Sequence, residues 1–351
     1  MRPFDERDGP CGRRVGGFGL VEIMVGLAIG MIATLVIVQV AAMFEGQKRS
    51  TTGTADAQTA GSIAIYAMQR QIQMAGYGLP VFSAQNQVLN CPDKPLMDAD
   101  NDPATPDIGV SITPVEIING ANNGNDQIIV RMGDTTSGGV PLRFPSLPNQ
   151  NNVLSCRDGD VVLITNGTKC AMTRVNGVPT AAGIVFDPVI TDPAEGSFAC
   201  LGPNWLARTY QVVGNNLQEG ATQIAGGVVN MQARYGITLA GNVNQIAPDA
   251  YVDALDPEWG PAMSAANRNR IKAIRVALVI RNSAMEKEDV TSACSSLTAA
   301  APTGLCAWAG TADNPAPAID LSADPDWRRY RYRVFDTLIP IRNMIWSADK
   351  L

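Results

Sequence analysis

The sequence predicts an α+β protein, a long N-terminal helix packed on a β-rich head. Three observations lead there. From Phe18 to Phe44 the chain runs through 27 predominantly apolar residues, with Glu22 as their one side-chain charge. Ile65, Met68, Ile72 and Ala75 then recur at spacings of 3, 4 and 3, the stripe of a helix that faces a sheet. Beyond residue 80 the helical period fades, and short β-type runs alternate with turn-rich stretches.

Residues 1–17 are polar, with Arg13 and Arg14 near their end. The 27 residues that follow would extend about 40 Å as a helix, against about 30 Å of bilayer hydrocarbon, so they can span a membrane. The two arginines hold the preceding residues in the cytoplasm by the positive-inside rule, which places the rest of the chain outside. An ordinary secretory signal has a shorter, uncharged apolar region. A plain signal anchor leaves Glu22 unexplained, because a carboxylate within a spanning helix is costly unless it is paired. No lysine or arginine lies within the span. Cleavage between Gly17 and Phe18 would supply the missing partner. It creates an α-ammonium with an ordinary pKa near about 8, four residues ahead of Glu22 on the same helix. Within one chain, or between neighbouring chains, the two charges can then neutralise each other in apolar surroundings.

Gly26 and Gly30 form a small-xxx-small spacing suited to close helix packing. Residues 45–76 are a polar, amphipathic continuation of the helix, with Gly46, Gly53 and Gly61 as expected points of bending. Gly76, Gly78 and Pro80 stop it. The expected division is a leader over 1–17, an assembly helix over 18–44, its continuation over 45–76 and a head over 77–351. Strands are predicted at Gln127–Arg131, Val161–Thr165, Ile184–Phe186, Ala207–Val213, Gly227–Tyr235, Ala273–Arg281 and Tyr330–Leu338. In the Ala273–Arg281 run Ile274, Val276, Leu278 and Ile280 face one way, and Arg275 and Arg281 the other. Turn-rich spacers fall at 98–107, 119–126, 145–152 and 241–261.

Histidine is absent, which removes Ser-His-Asp and Cys-His catalysis and His-ligated zinc. Nothing else singles out an active site, so the expectation is a non-enzyme with no cofactor. The net charge of −6 does not favour general nucleic-acid binding. Arg328, Arg329, Arg331 and Arg333 interleave with Tyr330 and Tyr332, a pattern open to two readings. It could be a surface for single-stranded DNA, or a strand with one wet and one packed face. Asp98, Asp100, Asp102 and Asp107 could converge on Ca²⁺, but Pro103 stands where such a loop needs glycine.

Seven cysteines stand at 11, 91, 156, 170, 200, 294 and 306, and none forms a CxxC pair. Loss of Cys11 with the leader would leave six, an even set suited to an oxidising compartment. Local pairing favours Cys294–Cys306 and Cys170–Cys200, leaving Cys91–Cys156, although six cysteines allow about 15 connectivities.

The run Arg14-Val15-Gly16-Gly17-Phe18-Gly19-Leu20-Val21-Glu22 resembles the class III signal of type IV prepilins and type II secretion pseudopilins. The resemblance implies cutting after Gly17 by a prepilin peptidase, methylation of the Phe18 amine and an assembly role for Glu22. This leader is long for the class and carries Asp5, Glu6 and Asp8. Four head segments resemble one group, the PilW-like minor pilins. They are Asp158-Gly159-Asp160-Val161-Val162-Leu163-Ile164, Val228 to Gly236 as V-x-x-x-Q-x-x-Y-G, Ile274 to Arg281, and Arg333-Val334-Phe335 with Ile341-Arg342-Asn343. The absence of proline between Phe18 and Leu79 suits a minor rather than a major pilin. The resemblance implies a chain held in the inner membrane with a periplasmic head, later joining a priming or tip complex of the pilus. Its implied partners are other minor pilins and the major pilin, met through the N-terminal helix, and a tip adhesin. Alternatives are a tip-complex pseudopilin of type II secretion and an adhesin carried at the tip.

Overall fold

The computed structural model describes residues 17, 19–79, 96–97, 108–136, 138–139, 142–144, 156–166, 169–180, 183–240 and 245–345. The chain divides into two compact units, Met1–Thr52 and Gly53–Leu351. The architecture is α+β, as the sequence predicts. One helix, α1, runs from Leu20 to Gln73 over 54 residues and so contributes to both units.

In the first unit every described residue from Gly19 to Arg49 is exposed. The apolar side chains go all round the helix, and Leu20, Met31, Val38 and Phe44 are each about two-thirds exposed or more. Among the described residues no neighbouring element within this unit takes them up.

In the second unit the helix buries Gly53, Ala57, Gly61, Ala64, Met68 and Ile72, at spacings of 4, 4, 3, 4 and 4. This face differs from the predicted stripe. Met68, Ile72 and Ala75 are fully buried, whereas Ile65 is only partly so. The upper part of the stripe is made of small residues. A Cβ on Gly61 would fall 2.1 Å from the Phe335 ring, and one on Gly53 would fall 1.9 Å from Asn282 Oδ1. These glycines, expected as bends, instead lie within continuous α-helix and let the sheet approach closely.

In chain order the strands are β1 (Leu96–Met97), β2 (Ile108–Gly109), β3 (Val115–Ile118), β4 (Gln127–Gly133), β5 (Leu142–Phe144) and β6 (Val161–Thr165). They continue with β7 (Cys170–Val175), β8 (Phe186–Asp187), β9 (Gly196–Gly202), β10 (Trp205–Val213), β11 (Asn216–Glu219) and β12 (Thr222–Gly226). The last are β13 (Val228–Ile237), β14 (Ala250–Val252), β15 (Ile271–Met285) and β16 (Tyr330–Pro340). All pairings are antiparallel, and the larger sheets have orders β12-β11-β10-β4-β3, β14-β13-β15-β16 and β5-β9-β6-β7-β8.

The main core joins the helix face to the first two of these sheets. Met68 and Ile72 share it with Ile117, Ile128, Val130, Tyr210, Met231, Ile274, Val276 and Leu278. A fully buried aliphatic side chain is worth about 1.5–3 kcal/mol, so this face anchors the helix strongly despite its glycines. On β15 the residues Ile274, Val276, Leu278 and Ile280 enter that core. The other face of β15 is covered too. The excursion between β15 and β16 lays Ala307, Trp308 and Ala316 against Ala277, and β15 is therefore buried on both sides for most of its length. The third sheet keeps a separate core around Val162, Ile164 and Phe198.

Two disulfides are formed wholly within the described residues. Cys294 joins Cys306 within the β15–β16 excursion. Cys156 joins Cys200, which corrects both the expected pairing of Cys170 with Cys200 and that of Cys91 with Cys156. The reason is register. Cys200 stands opposite Val162 on β9, while Cys170 stands at the far end of the β6–β7 hairpin opposite Thr165. Cys156 enters just ahead of β6 and so reaches Cys200 first. Cys170 is also oxidised. Cys91 lies outside the described residues.

Candidate functional site

The helix α1 starts at Leu20, and the amides of Glu22 and Ile23 both donate to the Gly19 carbonyl. Glu22 therefore sits in the first turn, where the unpaired amide groups favour a negative side chain. Glu22 and Gly17 are exposed; Phe18 lies outside the described residues. Cβ atoms added to Gly26 and Gly30 would meet nothing within 4 Å, so this spacing forms an open notch on the helix. The helix is long and apolar enough to cross a membrane, and its most apolar stretch is not buried. Glu22, Gly26 and Gly30 thus share one exposed, apolar helical end, with Gly17 exposed ahead of it.

The acidic loop with Asp98, Asp100, Asp102 and Asp107 lies outside the described residues. The arginine-tyrosine alternation resolves into internal pairs. Arg331 Nε donates to Glu286 at 2.8 Å, Arg329 pairs with Asp326, and Arg333 Nε donates to Gln58 Oε1 at 3.1 Å. Arg328 stacks on Trp327, and Arg281 stacks on Tyr330 while pairing with Asp324. Each of these arginines is spent at least in part on the head's own structure.

The head segments singled out in the sequence are points of attachment. Gln232 Nε2 donates to the Gly124 carbonyl, and the Tyr235 hydroxyl accepts from the Ile117 amide at 2.6 Å. Gly236 lies close against Pro248, where a Cβ would come within 3.0 Å. The V-x-x-x-Q-x-x-Y-G run thus ties β13 to the loop before β4 and to β3. In the Asp158-Gly159-Asp160 turn Gly159 has φ of +81°, Asp160 accepts from the Arg157 amide and Asp158 from the Gly177 amide. Phe335 lies against Gly61, and Asn343 Nδ2 donates to the carbonyls of Met74 and Ala75, closing the end of α1.

A buried group missed from sequence adds to the first attachment. Asp126 is 3% exposed and accepts from the amides of Gly120 and Ala233. Burial pushes its carboxyl up to about 6, against the two amide donations. It lines a cavity of about 200 Å³ with Arg234 and Asp253, which pair with each other at 3.3 Å. An aspartate in the turn-rich 119–126 stretch reads as a solvated turn residue, so only the tertiary fold reveals it. Lys272, 1% exposed, is another such group. Its ammonium donates to the Met344 carbonyl, and burial lowers its pKa to about 8.

A family model described as Type IV Pilus-assembly protein W matches residues 191–343, from the start of the β9 region to Asn343. The matched stretch contains Gln232, Tyr235, β15, Phe335 and Asn343, the attachments just described. It leaves out the helix and the Gly17–Glu22 segment. No curated protein and no solved structure matches the chain. The match supports involvement in type IV pilus assembly.

Proposed function

We propose that this chain is a minor pilin that helps prime or cap a type IV pilus. A prepilin peptidase cuts after Gly17, and the Phe18 amine is methylated. The apolar half of α1 holds the precursor in the inner membrane, its head in the periplasm. On assembly that half moves from lipid into a bundle of pilin helices, with other minor pilins and the major pilin as neighbours. Glu22 then pairs with an N-terminal ammonium and sets the axial register. Gly26 and Gly30 allow close approach between helices.

The observation that carries this reading is the exposure of an apolar helix on all sides from Leu20 to Phe44, in one continuous element with a segment built into the head. A helix apolar all round needs lipid or other helices about it. The family match over the head supports a pilus as the setting. Glu22→Ala tests the reading in cells. The variant is expected in the membrane at normal abundance but missing from sheared pili, and pili formed at wild-type number and composition would refute the pairing role.

A further inference from the structure

Outer strands of a sheet present unpaired N–H and C=O groups that recruit other strands, so proteins keep them short, charged or covered. Among the described residues the outer strands of the three larger sheets are β3, β12, β14, β5, β8 and β16. β12 has 5 residues and the other four have fewer, whereas β16 has 11. β16 pairs with β15 along one side, from Tyr330 to Pro340. Among the described residues the β15–β16 excursion packs against Val334 but hydrogen-bonds the backbone of β16 only at its beginning, where Thr291 Oγ1 donates to the Tyr330 carbonyl. From Arg331 to Pro340 no further backbone hydrogen bond is made among the described residues.

The side chains say what such an edge would accept. Arg331 and Arg333 are exposed near its start. Arg333 has Gln58 as its partner and no carboxylate within 4 Å among the described residues, and Arg331 shares Glu286. Further on, Asp336 is neutralised by Arg275 of its own sheet, and Leu338 is 41% exposed on the strand face it shares with partly buried Val334. The edge is thus basic at one end and apolar at the other, within a chain of net charge −6.

We infer that the free edge of β16 takes a fifth strand from another protein, an extended segment with carboxylates beside Arg331 and Arg333 and aliphatic side chains beside Leu338. Backbone hydrogen bonds supply the affinity and the arginines the register, as in other strand additions. The inference rests on the proposed function only in making the donor another subunit of the assembly. A second copy of β16 is a poorer donor, because its own exposed end is basic.

The test uses full-length protein in detergent micelles and a synthetic peptide of alternating valine and glutamate, about nine residues long, enough to cover the edge. A valine-lysine peptide is the control. Amide hydrogen exchange is expected to slow across 331–339 with the glutamate peptide and not with the lysine peptide. The double variant R331E/R333E should lose about tenfold in affinity for the glutamate peptide, as two exposed ion pairs near the top of their usual range would give, and should gain for the lysine peptide. Leu338→Lys, which adds charge to the edge without touching the arginines, should weaken binding with an unchanged melting temperature. No slowing with the glutamate peptide, or slowing that needs only higher protein concentration, overturns the inference. Because Gly17 and Glu22 play no part in this assay, its failure is separate from any failure of the assembly reading.

Discussion

Between Leu20 and Arg49 helix α1 exposes leucine, isoleucine, valine and methionine on every side, whereas from Gly53 to Ile72 it hides glycines and alanines, with Met68 and Ile72, and exposes mostly polar residues. Backbone conformation is the same in both stretches. What differs is whether the side chains define a direction. Apolar residues all round give the first stretch no preferred neighbour within its own chain, so lipid or other helices must serve. The small-residue face gives the second stretch one neighbour, the sheet carrying Asn282 and Phe335. Burial here follows fit, and hydrophobicity alone would have ranked the two stretches the wrong way round.

That contrast can be broken in graded steps. The largest effect concerns the first stretch. Gly17→Ala should leave an uncut precursor, larger than the mature chain by about the 17 leader residues, while the head folds normally; mature-sized product on a gel would refute cleavage at this bond. Next, replacing Cys156 and Cys200 together by serine opens a link between positions 44 residues apart, a loss of about 4 kcal/mol of head stability. Chemical denaturation should show it, with membrane insertion unaffected.

Asp126 tests the head's loop attachment by pH. Its folded pKa, about 6, lies above the ordinary value of 3.8. The stability it contributes is therefore full below about pH 4 and is lost as pH rises through about 6. Melting curves of the wild type and Asp126→Asn should thus lie further apart at pH 4 than at pH 7, by up to about 3 kcal/mol. A gap that stays constant with pH would remove burial as the cause. Gly61→Ala, which drives a methyl into Phe335, should cost about 1–3 kcal/mol in the same head assay. The smallest effect completes the comparison. Gly30→Ala, with open space around it, should leave head stability unchanged and alter only helix association in the membrane.

Much of this was legible in sequence because it rests on local pattern. The helix, its stop at Gly76 and Gly78, and strands such as β6 and β15 follow from apolar period and turn residues. β7 and β9 were not legible. Their sequences, Cys170-Ala-Met-Thr-Arg-Val with β-branched residues only at Thr173 and Val175, and Gly196-Ser-Phe-Ala-Cys-Leu-Gly with none, are held in place by pairing to β6 on either side. The packing role of Gly53 and Gly61 was hidden for a similar reason. A glycine in a helix reads as a weakness until the partner surface is known. In the candidate site the Gly17–Glu22 spacing could be read directly, since it is local in the chain. Asp126 and Asn343 act across long separations that no local pattern encodes.

Those separations bear on when the head can form. Gln58, Met74 and Ala75 meet their partners Arg333 and Asn343 only after some 268 to 275 further residues have been made. Until the final strand and Asn343 have been made, the second half of α1 has no complete surface to bind. Such late, distant closure is slow. The head is therefore completed only at the end of synthesis, and any stop codon ahead of Asn343 would leave the helix end with open carbonyls and an unfinished domain.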